Sequence, residues 1–177
     1  MGKHIVFIGA GAVGGYVGGH LTRAGEDVTL VDAWPEHVHA MRGQGLRLSG
    51  SQGEHVVRVR ACGLGEVQGF LRKPVDIAIV CTKSYDTEWA ATMIAPYLAP
   101  TGYVVSMQNG INEERIARAV GWGRTVGATV STISVNAYQP GCVRRYQQPG
   151  SATGHAVFRV GEVHGRVTER ASELARI

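Results

Sequence analysis

The sequence predicts an α/β fold, built as a doubly wound and mostly parallel sheet with an added antiparallel strand region toward the C-terminus. Three observations lead there. Short, β-rich apolar runs alternate with segments of helical spacing, as strands buried on both faces of a parallel sheet do. Glycine supplies 25 of the 177 residues, about 14% against a usual share of about 7%, so tight turns and close backbone approaches are built in. Beyond Thr125, strand-like runs follow one another without helices between them.

His4 to Ile8 reads as the first buried strand, and glycines follow at once. From Ala12 the spacing of Val13, Tyr16, Val17 and Leu21 is helical, closing at Gly25. Asp27 to Val31 is the second strand, with Asp32 at its end. Trp34-Pro35 opens a helix through Met41, with Pro where its missing N–H costs nothing. Leu46 to Arg60 reads as a β-hairpin around Gly50-Ser51-Gln52-Gly53, an excursion from the alternation. Val75 to Val80 returns to a buried strand, Tyr85 to Leu98 is a helix ended by Pro100, and Tyr103 to Met107 is a strand. Asn112 is expected to cap a helix from Glu113 to Val120. Thr125 to Tyr138, Cys142 to Tyr146 and Ala156 to Val160 are the strand-rich tail, and Gly165 to Ile177 is helical with Val167, Ala171, Leu174 and Ile177 on one face. Residues 1–177 are expected to form one domain.

Composition narrows the function. The net charge of +4 comes from scattered arginines, without a basic stripe interleaved with aromatics, so nucleic acid is not the expected partner. Only Lys3, Lys73 and Lys83 are lysines. Cys62, Cys81 and Cys142 are odd in number and form no CxxC, which points away from disulfides and zinc and toward a reducing cytoplasm. No metal site is expected: His37 and His39 do not share a helical face, and His20, His55, His155 and His164 lack ligand spacing. No apolar run is long enough to span a membrane, and no signal peptide or myristoylation pattern precedes the first strand. Trp34, Trp89 and Trp122 read as packing residues.

The chemistry lies in three loops that follow strands. Gly9-Ala10-Gly11-Ala12-Val13-Gly14 is G-x-G-x-x-G between a strand and a helix, the Rossmann-type turn. Its first glycine permits the tight turn, its second admits a pyrophosphate to the backbone, and its third lets helix and strand pack closely. Asp32 stands 18 positions after Gly14, where a carboxylate accepts from the ribose 2′-OH of NAD and repels the 2′-phosphate of NADP; capping the turn before Pro35 is its simpler role. Cys81-Thr82-Lys83-Ser84-Tyr85-Asp86 and Gln108-Asn109-Gly110 follow two further strands and so fall on the same rim. Lys83 can touch phosphate, ribose or a substrate carboxylate, and Asn109 offers a paired donor and acceptor. The cofactor-binding candidates are thus Gly9, Ala10, Gly11, Ala12, Val13, Gly14, Asp32, Lys83 and Asn109, with Lys83 and Asn109 also reaching substrate.

GAGAVGGYVGGHLTRAG from Gly9 to Gly25, VCTKSYDT from Val80 to Thr87, QNGINEE from Gln108 to Glu114 and the run from Gly127 to Pro140-Gly141 resemble, in order and spacing, the N-terminal NADP-binding domain of ketopantoate reductases (2-dehydropantoate 2-reductases). The resemblance implies NADPH- or NADH-dependent reduction of ketopantoate to pantoate in pantothenate and coenzyme A synthesis. It implies that Lys83 contacts the cofactor near its ribose and phosphates, that Asn109 sits by the nicotinamide end, and that a backbone group between Thr132 and Ala137 joins in. It also implies a C-terminal helical domain carrying the catalytic lysine and glutamate beyond Ile177, which makes this chain the cofactor-binding half of a two-domain enzyme. Lys83 is the candidate within the chain for the proton donor. Members of that family that use NADPH usually carry a basic residue just after the second strand, where this chain has Asp32-Ala33, so Asp32 favours NADH while the resemblance favours NADPH. The alternatives are a reductase of another 2-oxoacid and a nicotinamide-sensing regulatory domain. A small 2-oxoacid is the expected partner, and a homodimer is left open.

Overall fold

Successive side chains of a strand point to opposite faces, and the buried strands of this protein use both. The computed structural model describes residues 2–51, 53–131, 133–146 and 157–177. In chain order the strands are β1 (His4–Ile8), β2 (Asp27–Asp32), β3 (Leu46–Gly50), β4 (His55–Val57), β5 (Arg60–Gly63), β6 (Val75–Val80), β7 (Leu98–Met107), β8 (Thr125–Val130), β9 (Val135–Gln139), β10 (Cys142–Arg145) and β11 (Phe158–Glu162). The helices are α1 (Ala12–Ala24), α2 (Pro35–Gln44), α3 (Thr87–Ile94), α4 (Glu113–Val120) and α5 (Glu169–Leu174).

The main sheet runs β11-β8-β7-β6-β1-β2-β5, parallel throughout except for β11, which is antiparallel to β8. Without β11 this is the doubly wound order 3-2-1-4-5-6. Ile5 and Phe7 of β1 face the apolar cluster that includes Tyr16, Val38, Met41 and Leu174, whereas Val6 and Ile8 face the one that includes Ala90, Ile94 and Ile116. Both faces of the central strands are therefore covered, which is why they read as unbroken apolar runs.

A second sheet, in the order β4-β3-β10-β9, lies beside α1. Its β10 pairs parallel with β3 and antiparallel with β9. Arg145 of β10 is buried, with its guanidinium 5.6 Å from the centre of the Tyr16 ring and hydrogen-bonded to the Tyr16 hydroxyl at 3.2 Å.

Several expectations change at element ends. The hairpin holds as β3 and β4, but Arg60 leaves it to begin β5, which pairs parallel with β2. The helix expected from Tyr85 to Leu98 is α-helical only over α3, with 3-10 turns at Ser84–Asp86 and Ala95–Tyr97, and Leu98 already belongs to β7. The run from Thr125 to Tyr138 divides between the two sheets as β8 and β9. The helix ending at Met41 continues to Gln44. The last helix starts at Glu169, capped by the Thr168 hydroxyl, and Val167 is exposed. Ala156 and His155 lie outside the described residues. None of the three tryptophans is a core residue: Trp34, Trp89 and Trp122 are all exposed.

The C-terminal edge is fastened by one buried carboxylate. Glu162 of β11 accepts from Nε and Nη2 of Arg170, each at 2.6 Å, and from the Thr168 hydroxyl at 2.5 Å. The Arg170 hydrogen bonds, joined by that from Thr168, outweigh burial and hold the Glu162 carboxyl at about 2. Because the folded value is depressed, the contribution is present above the ordinary carboxylate range and fades as pH falls from about 4.5 toward 2. Glu162→Gln should lower the unfolding free energy at neutral pH by about 3 kcal/mol and remove that part of the acid sensitivity, measured by urea denaturation across pH.

Candidate functional site

Parallel strands end on a common rim, so the turns after β1, β2, β6 and β7 meet there. Ile8 pairs with Val31 on one side and Val80 on the other, and Val80 pairs with Ser106. The chain leaves β1 through α1 toward β2 and later returns to β6 on the opposite side of β1, which makes the β1/β6 boundary the switch point where ligands bind in such sheets. A cleft of about 370 Å³ opens at this point.

Gly9 begins the turn at φ 93°, and a Cβ there would stand 2.9 Å from the Thr82 nitrogen. At Gly14 a Cβ would stand 2.0 Å from the Gly9 carbonyl oxygen, so α1 can start this close to the turn only without a side chain. Gly11 differs, because a Cβ there meets nothing within 4 Å and the residue lines the cleft. Gly11 is also the N-cap of α1 and brings no side-chain oxygen, which leaves the first-turn N–H groups and the positive end of the helix dipole without a side-chain cap. Of the predicted loop residues, Gly9, Gly11, Ala12 and Val13 line the cleft, while Ala10 and Gly14 are buried behind them.

Asp32 also lines the cleft, and it takes up the capping role expected of it together with a second contact the sequence did not suggest. Its Oδ2 accepts from the Ala10 N–H at 2.7 Å, strapping the glycine turn, and its Oδ1 accepts from the Trp34 N–H at 2.9 Å, capping the turn into α2. Each oxygen keeps a further lone pair. Arg42, the nearest cation after β2 in sequence, has its guanidinium engaged by the Ala61 carbonyl at 2.7 Å and by Glu66 at 2.6 Å.

Lys83 and Asn109 come to the same cleft, both exposed. Lys3 is paired with Glu173 and Lys73 with Asp27, whereas Lys83 forms no ion pair among the described residues. The backbone beneath these two side chains is tied down by residues the sequence did not single out for the task. Buried Gln108 donates to the Thr82 carbonyl at 2.8 Å and to Thr87 Oγ1 at 3.0 Å. Asn112 does not cap α4 with its side chain; its Nδ2 donates to the Asn109 carbonyl at 3.0 Å, and Ser84 Oγ donates to the same oxygen at 2.9 Å. The amide of Asn109 itself makes no hydrogen bond among the described residues and faces no internal competitor. The segment between Thr132 and Ala137 lies partly on β9, with Thr132 outside the described residues. Asp86, from the loop already singled out, also lines the cleft, as do Trp89 and Leu64, which carry no motif that would have announced them.

The cleft contains one thiol, Cys81, whose pKa burial pushes up, and burial likewise raises Cys62 to about 11. Neither is a thiolate nucleophile near neutral pH. Among the described residues no group of three His, Cys, Asp or Glu side chains is placed to hold a metal ion, and no helix is long and apolar enough to cross a membrane. The arrangement can hold a phosphate-bearing ligand along backbone N–H groups, with a carboxylate at one end and a lysine and an amide at the other. Gln108→Leu leaves the Thr82 carbonyl and the Thr87 hydroxyl without this partner; it should cost about 1–3 kcal/mol and raise amide exchange in residues 82–86, measured by denaturation and hydrogen–deuterium exchange.

Residues 5–157 match the model of a family described as ketopantoate reductase PanE/ApbA. The chain is 33% identical over 176 residues to the 2-dehydropantoate 2-reductase of Archaeoglobus fulgidus, an alignment covering 99% of this chain and 52% of that one. Among solved structures, 2-dehydropantoate 2-reductase from Geobacter metallireducens superposes with a TM-score of 0.81 at 28% identity, covering 98% of this chain and 54% of that one. D-mandelate dehydrogenase solved with NADH and anilino(oxo)acetate superposes with a TM-score of 0.72 at 26% identity, over 81% of this chain and 45% of that one. The chain spans about half the length of the curated relatives it matches. A doubly wound sheet with three polar loops on one rim and a family match over most of its length lead to one statement: the chain belongs to the ketopantoate reductase PanE/ApbA family.

Proposed function

We propose that this chain is the cofactor-binding half of a reductase that converts ketopantoate to pantoate with NADH or NADPH. The observation that carries the reading is the convergence, in one cleft at the switch point, of the glycine turn, Asp32, Lys83 and Asn109. The cradle fits a dinucleotide, because the open space over Gly11 and the N–H groups beginning α1 suit a pyrophosphate. When bound, the reduced nicotinamide supplies the hydride. Gly9, Gly11, Ala12 and Val13 hold the pyrophosphate, with Ala10 and Gly14 shaping the turn from behind. Lys83 neutralises charge near the ribose and phosphates, and Asn109 orients the nicotinamide end and reaches the substrate. A ketone that accepts hydride builds negative charge on oxygen and needs a proton donor. We assign that donor, together with most of the substrate contacts, to a helical unit outside this chain, as the resemblance implies, and not to Lys83.

The cofactor preferred is NADH. Asp32 retains lone pairs for a ribose hydroxyl, its charge opposes a 2′-phosphate, Ala33 follows it, and Arg42 is already engaged. Calorimetry should find NADH bound about tenfold more tightly than NADPH. Asp32→Asn, which keeps an acceptor for the Ala10 N–H but removes the charge, should bring the two close to parity. Tighter binding of NADPH by the unmodified chain overturns the preference.

The likeness to D-mandelate dehydrogenase supports a second reading, in which the substrate is another 2-oxoacid. Oxidation of NADH or NADPH by the natural polypeptide that carries this chain, followed with ketopantoate and with a panel of 2-oxoacids, separates the two. Ketopantoate should turn over at least about tenfold faster in kcat/KM than the others. Nucleotide binding without turnover of any 2-oxoacid contradicts both readings.

A further inference from the structure

His37 lies on α2, behind the cleft lining and not part of it, and is 1% exposed. The Gly141 N–H donates to its Nδ1 at 2.9 Å. An N–H can only donate, so Nδ1 is the acceptor and the ring proton sits on Nε2. Nε2 stands 2.9 Å from the Ala10 carbonyl oxygen and donates to it, which makes the ring neutral and fixes its tautomer. Trp34 lies flat against the ring, 5.4 Å between centroids and 12° between planes. Gly141 is itself anchored, since its carbonyl accepts from the Arg47 N–H at 2.8 Å on β3.

Ala10 is therefore held at both ends, by Asp32 at its N–H and by His37 at its carbonyl. The Ala10 carbonyl and the Gly11 N–H share one planar trans peptide and point in opposite directions. Holding the carbonyl toward buried His37 turns the Gly11 N–H away from the interior, at a residue that lines the cleft. A histidine present only to fill the core would not need to engage this particular carbonyl, and an apolar side chain would fill the same space.

We propose that His37 is a positioning residue for anion binding: it aims the Gly11 N–H at the diphosphate of the nucleotide and, through Gly141, ties that aim to the second sheet. The inference rests on the reading that the cleft holds a dinucleotide. Asn and Gln substitutions separate the two contacts, because an Asn amide replaces the Nδ1 side of the ring and a Gln amide the Nε2 side. His37→Asn keeps the link to Gly141 and loses Ala10. His37→Gln keeps the donor to Ala10.

The test compares NADH with adenosine, which has no phosphate, by calorimetry and NMR titration, alongside the ¹⁵N spectrum of the His37 ring. At pH 7.5 the wild type should show Nε2 protonated and Nδ1 unprotonated. His37→Asn should lose at least about tenfold in NADH affinity with adenosine binding little changed, and His37→Gln should stay within about threefold of wild type for both. A protonated Nδ1, equal NADH affinity in the Asn and Gln variants, or a parallel loss for adenosine overturns the positioning role. Failure of the wild type to bind NADH overturns the cofactor reading itself, a result distinct from wild-type binding that is insensitive to His37.

Discussion

The structure depends on how closely α1 can approach the sheet. Six glycines fall between Gly9 and Gly19, and four of them lie inside the helix, where each costs about 1 kcal/mol relative to Ala. That cost of about 4 kcal/mol is offset by contact no other residue permits. A Cβ at Gly14 would strike the Gly9 carbonyl, one at Gly18 would come within 2.5 Å of Leu30, and one at Gly19 within 2.9 Å of Leu46. The bare face of one helix thus lets the glycine turn, the main sheet and the second sheet crowd together, and the excess of glycine in the composition is largely explained by this face and by the turns.

Close packing also sets the electrostatics. With α1 beginning directly at the turn, its N–H groups open onto the cleft, and Asp32 can reach back across the turn to Ala10. The same carboxylate that straps the loop also lines the cleft, so two backbone N–H groups fix its charge there. The Lys83 and Asn109 loops are placed by a separate network of buried Gln108, Thr87 and Asn112 with half-buried Ser84. Among the described residues Lys83 is thereby left without an ion pair and the Asn109 amide without a hydrogen bond, while Gln108 and Asn112, which tie down their loops, are satisfied inside the protein.

Much of the lining of the candidate site was legible in the sequence because the glycine, Lys83 and Asn109 loops each directly follow an apolar strand, and a parallel sheet brings such ends to one rim. The central strands were legible for the same reason, being apolar on both faces. What could not be seen is non-local. β5 has only four residues and no alternation to announce it, so Arg60 reads naturally as the end of a hairpin. The pairing of β10 with β3 joins segments about a hundred residues apart, and the run from Thr125 to Tyr138 carries no mark where it passes from one sheet to the other. His37 looked like half of an unlikely metal pair, and its partners at Ala10 and Gly141 are backbone groups that leave no trace in residue types. Asn112 looked like a helix cap because it stands at a helix start, but its amide is drawn away to Asn109.

Gly11 separates the needs of folding from those of binding, since it is the loop glycine whose missing side chain leaves open space instead of relieving a clash. The most direct measurement is the NADH affinity of Gly11→Ala together with its melting temperature. If the cleft is reserved for a pyrophosphate, the variant melts like the wild type while NADH affinity falls by at least about tenfold, because the methyl group occupies the approach to the backbone. Unchanged NADH affinity in a normally folded Gly11→Ala protein would contradict a pyrophosphate site at this backbone.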